Sequence, residues 1–172
     1  MDQAQNRTML DRMMGAARLD LATFNEVEHD SSLTTQAAVV VMLVALAKAI
    51  GAWDVGPTSA VVTAVASLVG WLIWAGVTYV IGDKLLGGTA TWGELLRTLG
   101  FAQAPGVLLV FGVLPLIGGL LAFVVSLWTL VAGIIGIREA LDFSTGKAVI
   151  TAVLGWLALV IPLALMEAAA LG

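Results

Sequence analysis

GGLLAFVVSLWTLVAGIIGI, residues 118–137, decides the fold: twenty consecutive residues without a charge, in which only Ser126, Thr129 and the Trp128 indole bring polar side-chain atoms. At about 1.5 Å per residue a helix of that length spans about 30 Å, the thickness of a bilayer's hydrocarbon core. Four further apolar stretches flank it, at 35–53, 58–82, 99–115 and 147–166. The stretch at 99–115 is short and carries Gln103, Pro105 and Pro115, but a helix running in from Trp92 lengthens it. The whole chain is 60% apolar and 12% charged, with a mean hydropathy of +1.01. Soluble domains carry about 25% charged residues. The expectation is an all-α polytopic membrane protein, with five transmembrane helices in residues 34–170 behind a cytoplasmic segment at 1–33.

The charges orient it. Arg7, Arg12 and Arg18 precede the first span, Lys84 and Arg97 lie between the second and third, and Arg138 and Lys147 between the fourth and fifth. Only Lys48, near the far end of the first span, falls elsewhere, and snorkelling outward would suit it there. With five spans, seven of the eight basic residues share one side. The positive-inside rule then puts the N-terminus in the cytoplasm and the C-terminus outside, in a bacterial plasma membrane. Residues 1–30 hold nine charged residues and no apolar run fit for a signal peptide, so the first span is expected to act as the insertion signal.

Leu10, Met14, Ala17, Leu21 and Phe24 recur at spacings of 4, 3, 4 and 3, the stripe of an amphipathic helix over 8–28. Such a helix lies on the membrane surface, docks a partner, or folds back on the protein's own loops. Leu10, Met14, Leu21 and Phe24, with Trp92, are the candidate contact residues. Further on, Thr91-Trp92-Gly93-Glu94 has the spacing of a capping box, so a helix starts at Trp92. Pro115 to Gly119 makes a tight, uncharged hairpin. Pro105 removes a backbone donor beside Gln103, which makes Gln103 and Pro105 a candidate hinge. Three small-residue pairs four apart, Ala47 and Gly51, Ala66 and Gly70, and Ala132 and Gly136, suit close helix packing.

Catalytic and cofactor chemistry finds little footing. The chain has no cysteine and a single histidine, His29, outside the spans. Carboxylates never pair inside a span, so a proton relay or metal centre has no ligands there. No catalytic residue, metal or cofactor is expected. A net charge of −4 without a basic cluster points away from nucleic acid. Within the spans the polar side chains reduce to Gln103, Thr63, Ser67, Thr78, Ser126, Thr129 and Thr151, too sparse a set to line an ion path.

Glu94 to Gly106, Trp128 to Gly133, Arg138 to Ala148 and Gly155-Trp156 resemble the membrane domain of the Ypt-interacting-protein (Yip) family, the Yip-one domain. Arg18 to Asp20, Phe24 to Glu28 and Asp30 to Ala37 resemble its short bacterial members. The resemblance implies five spans, a cytoplasmic N-terminus and no catalytic residues. Eukaryotic relatives work in vesicle trafficking and bind prenylated Rab-type GTPases, a role not expected here, because no long cytoplasmic N-terminal domain is read ahead of the spans. The expected function is a non-enzymatic scaffold or organiser that works through membrane lipids and other membrane proteins. The alternatives are an accessory subunit of a larger respiratory or photosynthetic complex, or a lipid or small-solute transporter.

Overall fold

The computed structural model describes residues 7–51, 57–114 and 116–171, with side chains described up to Ala158, other than at 57, 59 and 60, and at Ile161. Among the described residues every regular element is helical. Four helices are long and apolar enough to cross a membrane: Ser31–Gly51, Val61–Leu85, Trp92–Val113 and Gly118–Ala140. A fifth apolar helix, Thr145–Leu171, runs for 27 residues. The polytopic all-α expectation holds. The first–second connection and Pro115 lie outside the described residues.

Two short helices precede the spans: α1 (Met9–Ala17) and α2 (Leu21–His29). The single helix expected over 8–28 is therefore broken, and Arg18 to Asp20 show why. Leu19 adopts φ 62°, and its amide with that of Asp20 bonds back to Ala16 O and Gly15 O at 3.0 Å. The Asp20 carboxylate then caps the free amides of Ala22 and Thr23. Apolar spacing cannot register this break, because a three-residue interruption leaves the period nearly in phase.

Then come α3 (Thr34–Gly51), α4 (Pro57–Tyr79, widening into a π-turn at Val80–Leu85), α5 (Trp92–Ala102), α6 (Gly118–Ala140) and α7 (Thr145–Leu171). The capping box forms at Thr91: its amide donates to Glu94 Oε2 at 2.7 Å, and the Glu94 amide donates to Thr91 Oγ1 at 3.3 Å. After α5 the backbone tightens into a 3₁₀ helix from Ala104 to Val113. The third crossing thus starts at Trp92 rather than at 99. Eleven α-helical and ten 3₁₀ residues, at about 1.5 and 2.0 Å each, together reach roughly 37 Å. Twenty-two residues would already reach roughly 33 Å at the α-helical rise, so the start at Trp92 makes the crossing long enough and the 3₁₀ half lengthens it further.

α5 is the axis of the fold. Leu95 through Ala102 are all buried, packed among α1, α2, α3, α4 and α6. Two of the three small-residue pairs are interfaces. At Gly51 a Cβ would collide with the Leu109 carbonyl of the 3₁₀ segment, and at Gly136 it would press on Thr98 and Phe24. Gly70 meets nothing within 4 Å.

The chain thereby acquires two unlike ends. One gathers α1, α2, the 83–91 connection and the 141–144 turn, stitched by Thr89 Oγ1 to Asp142 Oδ2 at 2.7 Å and Lys147 Nζ to Leu86 O at 3.3 Å. The opposite end carries Gly51 and the 112–118 turn. They are the polar end and the hairpin end below.

Candidate functional site

At the polar end, charge is turned inward. Arg12, only 6% exposed, donates from Nε to Glu26 Oε1 at 2.7 Å and from Nη1 to the Arg7 carbonyl at 2.6 Å. Arg7 Nη1 donates to the other Glu26 oxygen at 2.7 Å. Arg97, buried on α5, reaches the last turn of α2: Nε donates to Val27 O at 2.9 Å, and Nη2 donates to Glu28 O. A guanidinium there satisfies carbonyls that the helix leaves unpaired and complements the helix dipole. Burial pushes the Glu28 carboxyl up to about 7. The neighbouring His29 opposes that rise, while Asp142, Glu94 and Glu139 add to it. A polar recess of about 500 Å³ beside it is lined by Asn25, Arg138, Glu139, Asp142, Phe143, Ser144 and Thr145. Among the described residues, no three His, Asp or Glu side chains converge as metal ligands would.

The exposed side chains of α1 are apolar, and on α2 Leu21 and Ala22 share the surface with Asn25 and His29. Leu10, Met14 and Leu21 are exposed, and Trp92 stands exposed at the start of α5. Phe24 parts from them. It is wholly buried, against Gly136 of α6, so its contacts are with the protein's own core. Trp128 Nε1 donates to the Ala17 carbonyl at 2.7 Å. Trp128 lies ten residues, roughly 15 Å, along α6 from Arg138. The α1–α2 hairpin is therefore laid alongside α6 rather than perched on its tip.

Gln103 and Pro105 stand together where α5 gives way to the 3₁₀ segment, Pro105 buried and Gln103 half-buried. Here the fold assembles what the sequence scatters. A cavity of about 600 Å³ is lined by Lys48 of α3, Thr63, Ser67, Gly70, Trp71 and Trp74 of α4, Gln103, and Thr129 of α6, among others. A second, of about 230 Å³, shares Lys48, Gln103 and Thr129 and adds Ser126. A third, of about 390 Å³, lies between Trp74, Ser126, Thr129 and Trp156. Five of the seven polar residues of the spans thus line these three cavities: Gln103, Thr63, Ser67, Ser126 and Thr129. The other two, Thr78 and Thr151, are buried toward the polar end. Thr151 bonds the Lys147 carbonyl at 2.9 Å.

Lys48 does not fit a simple snorkelling residue, because it lines both the first and the second of these cavities. A helical Cα–Cβ bond tilts toward the helix N-terminus, which for α3 is the polar end. The side chain is thus launched back into the bundle. No sequence signal marked the site, since Lys48 and Gln103 are distant in the chain.

The model of the Yip1 domain matches residues 21–166. The chain belongs to the Yip1 domain family. The match takes in α2 and every apolar helix, so the hairpin's second arm is part of the Yip1 domain and α1 precedes it. This is a multi-pass membrane protein of Yip type. No curated protein and no solved structure matches the chain.

Proposed function

We propose that this Yip1-domain protein is a non-enzymatic organiser of membrane and membrane-protein contacts in a bacterial plasma membrane. Its polar end faces the cytoplasm and its C-terminus the outside, as seven basic residues gathered at or before that end favour. The observation that supports the reading is the inside-out hairpin: Arg12 is sequestered while Leu10 and Met14 of the same helix stand exposed. A surface built to meet water would reverse that arrangement. Leu10, Met14 and Leu21 form the face offered to lipid or to a partner's apolar surface, with Trp92 beside the interface.

Deleting residues 1–30 would be a poor test, because Phe24 and Val27 fill the core. The triple variant Leu10→Ser, Met14→Ser, Leu21→Ser alters the face and leaves the core intact. Cross-linking in native membranes should then lose the protein neighbours captured by the wild type, with insertion unchanged. Retention of the same neighbours would sink the proposal.

A further inference from the structure

We infer that the cavity around Lys48 is a binding site for one anionic phospholipid, whose acidic headgroup meets Lys48 and whose acyl chain lies along α4. It is independent of the hairpin reading and rests on a different face of the molecule.

Three observations carry it. The site is a concavity of ligand size: about 600 Å³ falls within the range of about 300–1,000 Å³ typical of small-molecule sites. Its chemistry is divided as an amphiphile's is. One part presents a cation, the Gln103 amide and the hydroxyls of Thr63, Ser67 and Thr129; the other presents Val62, Ala66, Trp71 and Trp74. Among the described lining residues none is acidic, so the electrostatic preference is for an anion.

The level of the site selects the source of that anion. Lys48 stands three residues, about 4.5 Å, from the end of α3 at Gly51. Because the side chain leans back toward the polar end, a headgroup entering from the adjacent leaflet sinks past the interface to meet it, with its chain still in hydrocarbon. A free anion would have to leave water and gain nothing from the apolar wall. Ala66 and Gly70 make that wall shallow. Gly70 meets no atom within 4 Å, so the small pair leaves room where the other two such pairs leave none. An ammonium in a span is tolerated where it finds a counter-charge or polar company, and a phosphate diester supplies the first.

The test is native mass spectrometry of the full chain released from nanodiscs of phosphatidylglycerol and phosphatidylcholine mixed equally. The wild type should retain one phosphatidylglycerol per chain. Lys48→Met should reduce that occupancy at least about tenfold, and Lys48→Arg should keep it. Ala66→Leu, which fills the wall and leaves the charge untouched, should also lose it, and circular dichroism should show all three variants folded. Retention by both Lys48→Met and Ala66→Leu would overturn the proposal, as would equal retention of phosphatidylcholine. Displacement of the lipid by millimolar inorganic phosphate would assign the site to a free anion, and displacement by oleate at equal mole fraction to a fatty acid. Either result overturns the phospholipid.

Discussion

The polar end and the hairpin end are made from the same apolar helices, yet they are packed in opposite ways. At the polar end charged groups point inward and are paired: Arg12 and Arg7 on Glu26, Arg97 on the last carbonyls of α2. Around them Phe24, Leu95, Leu99 and Phe101 are completely buried. At the hairpin end α4 leaves Val61, Val62, Val65 and Val69 exposed, and the bundle opens into cavities around a single cation. The difference teaches where the order comes from. Apolar surface has no reason to seek apolar surface in lipid, so dense packing follows polar contacts and small residues that fit. At the hairpin end small residues still hold α3 against the third crossing at Gly51, and space appears along α4, where they do not.

The sharpest way to break the contrast is Phe24→Ala. Removing a wholly buried ring from between α2 and α6 should cost about 4 kcal/mol, read as a fall in the unfolding midpoint in mild detergent. A change of similar size from Trp74→Ala, on the cavity wall, would show the two ends to be equally packed. Next is Arg97→Met, which strips the α2 carbonyls of their donor and should cost about 3 kcal/mol. Limited trypsin digestion should then cut at Arg18 faster than in the wild type. Trp128→Phe removes the bond to the Ala17 carbonyl together with part of the ring; a loss of about 1 kcal/mol is expected, with the same cleavage modestly accelerated.

A pH series sharpens the comparison. Burial holds the folded-state pKa of Glu28 near 7, above the 4.5 of the free side chain. Between those values the folded protein keeps a proton that the unfolded chain has lost. The Glu28 contribution to stability is therefore complete below 4.5 and is lost as pH rises through 7. The wild-type melting temperature should fall from pH 5 to pH 8, and Glu28→Gln should flatten that slope. An unchanged slope would remove Glu28 from the account. The smallest effect belongs to Leu10→Ser: within about 0.5 kcal/mol, because that side chain touches so little of its own protein.

Much of this was legible in the chain, and for identifiable reasons. Spans of about twenty apolar residues announce themselves because each is a local property of length and composition. The Thr91–Glu94 cap and the start at Trp92 were readable because a capping box lies within four residues. The N-terminal stripe was readable only as a period. It could not reveal that Leu19 turns the chain, or that Phe24 belongs to the core while Leu10 and Met14 do not. The length of the third crossing was readable from its start at Trp92, but nothing local shows that the residues after Pro105 adopt the longer 3₁₀ rise.

By itself, the sequence determined that this is a helical membrane protein of Yip type with its basic residues gathered on one side. Hydrocarbon solvent rewards apolar length and penalises charge whatever the neighbours are. Only the tertiary structure decided that Arg97 would close the end of α2, and that Lys48, Gln103 and Thr129 would share one cavity. Those pairings join residues far apart in the chain. They follow from how α3, α4, α5 and α6 pack together, with close approach at Gly51 and Gly136 and a change of pitch beside Pro105.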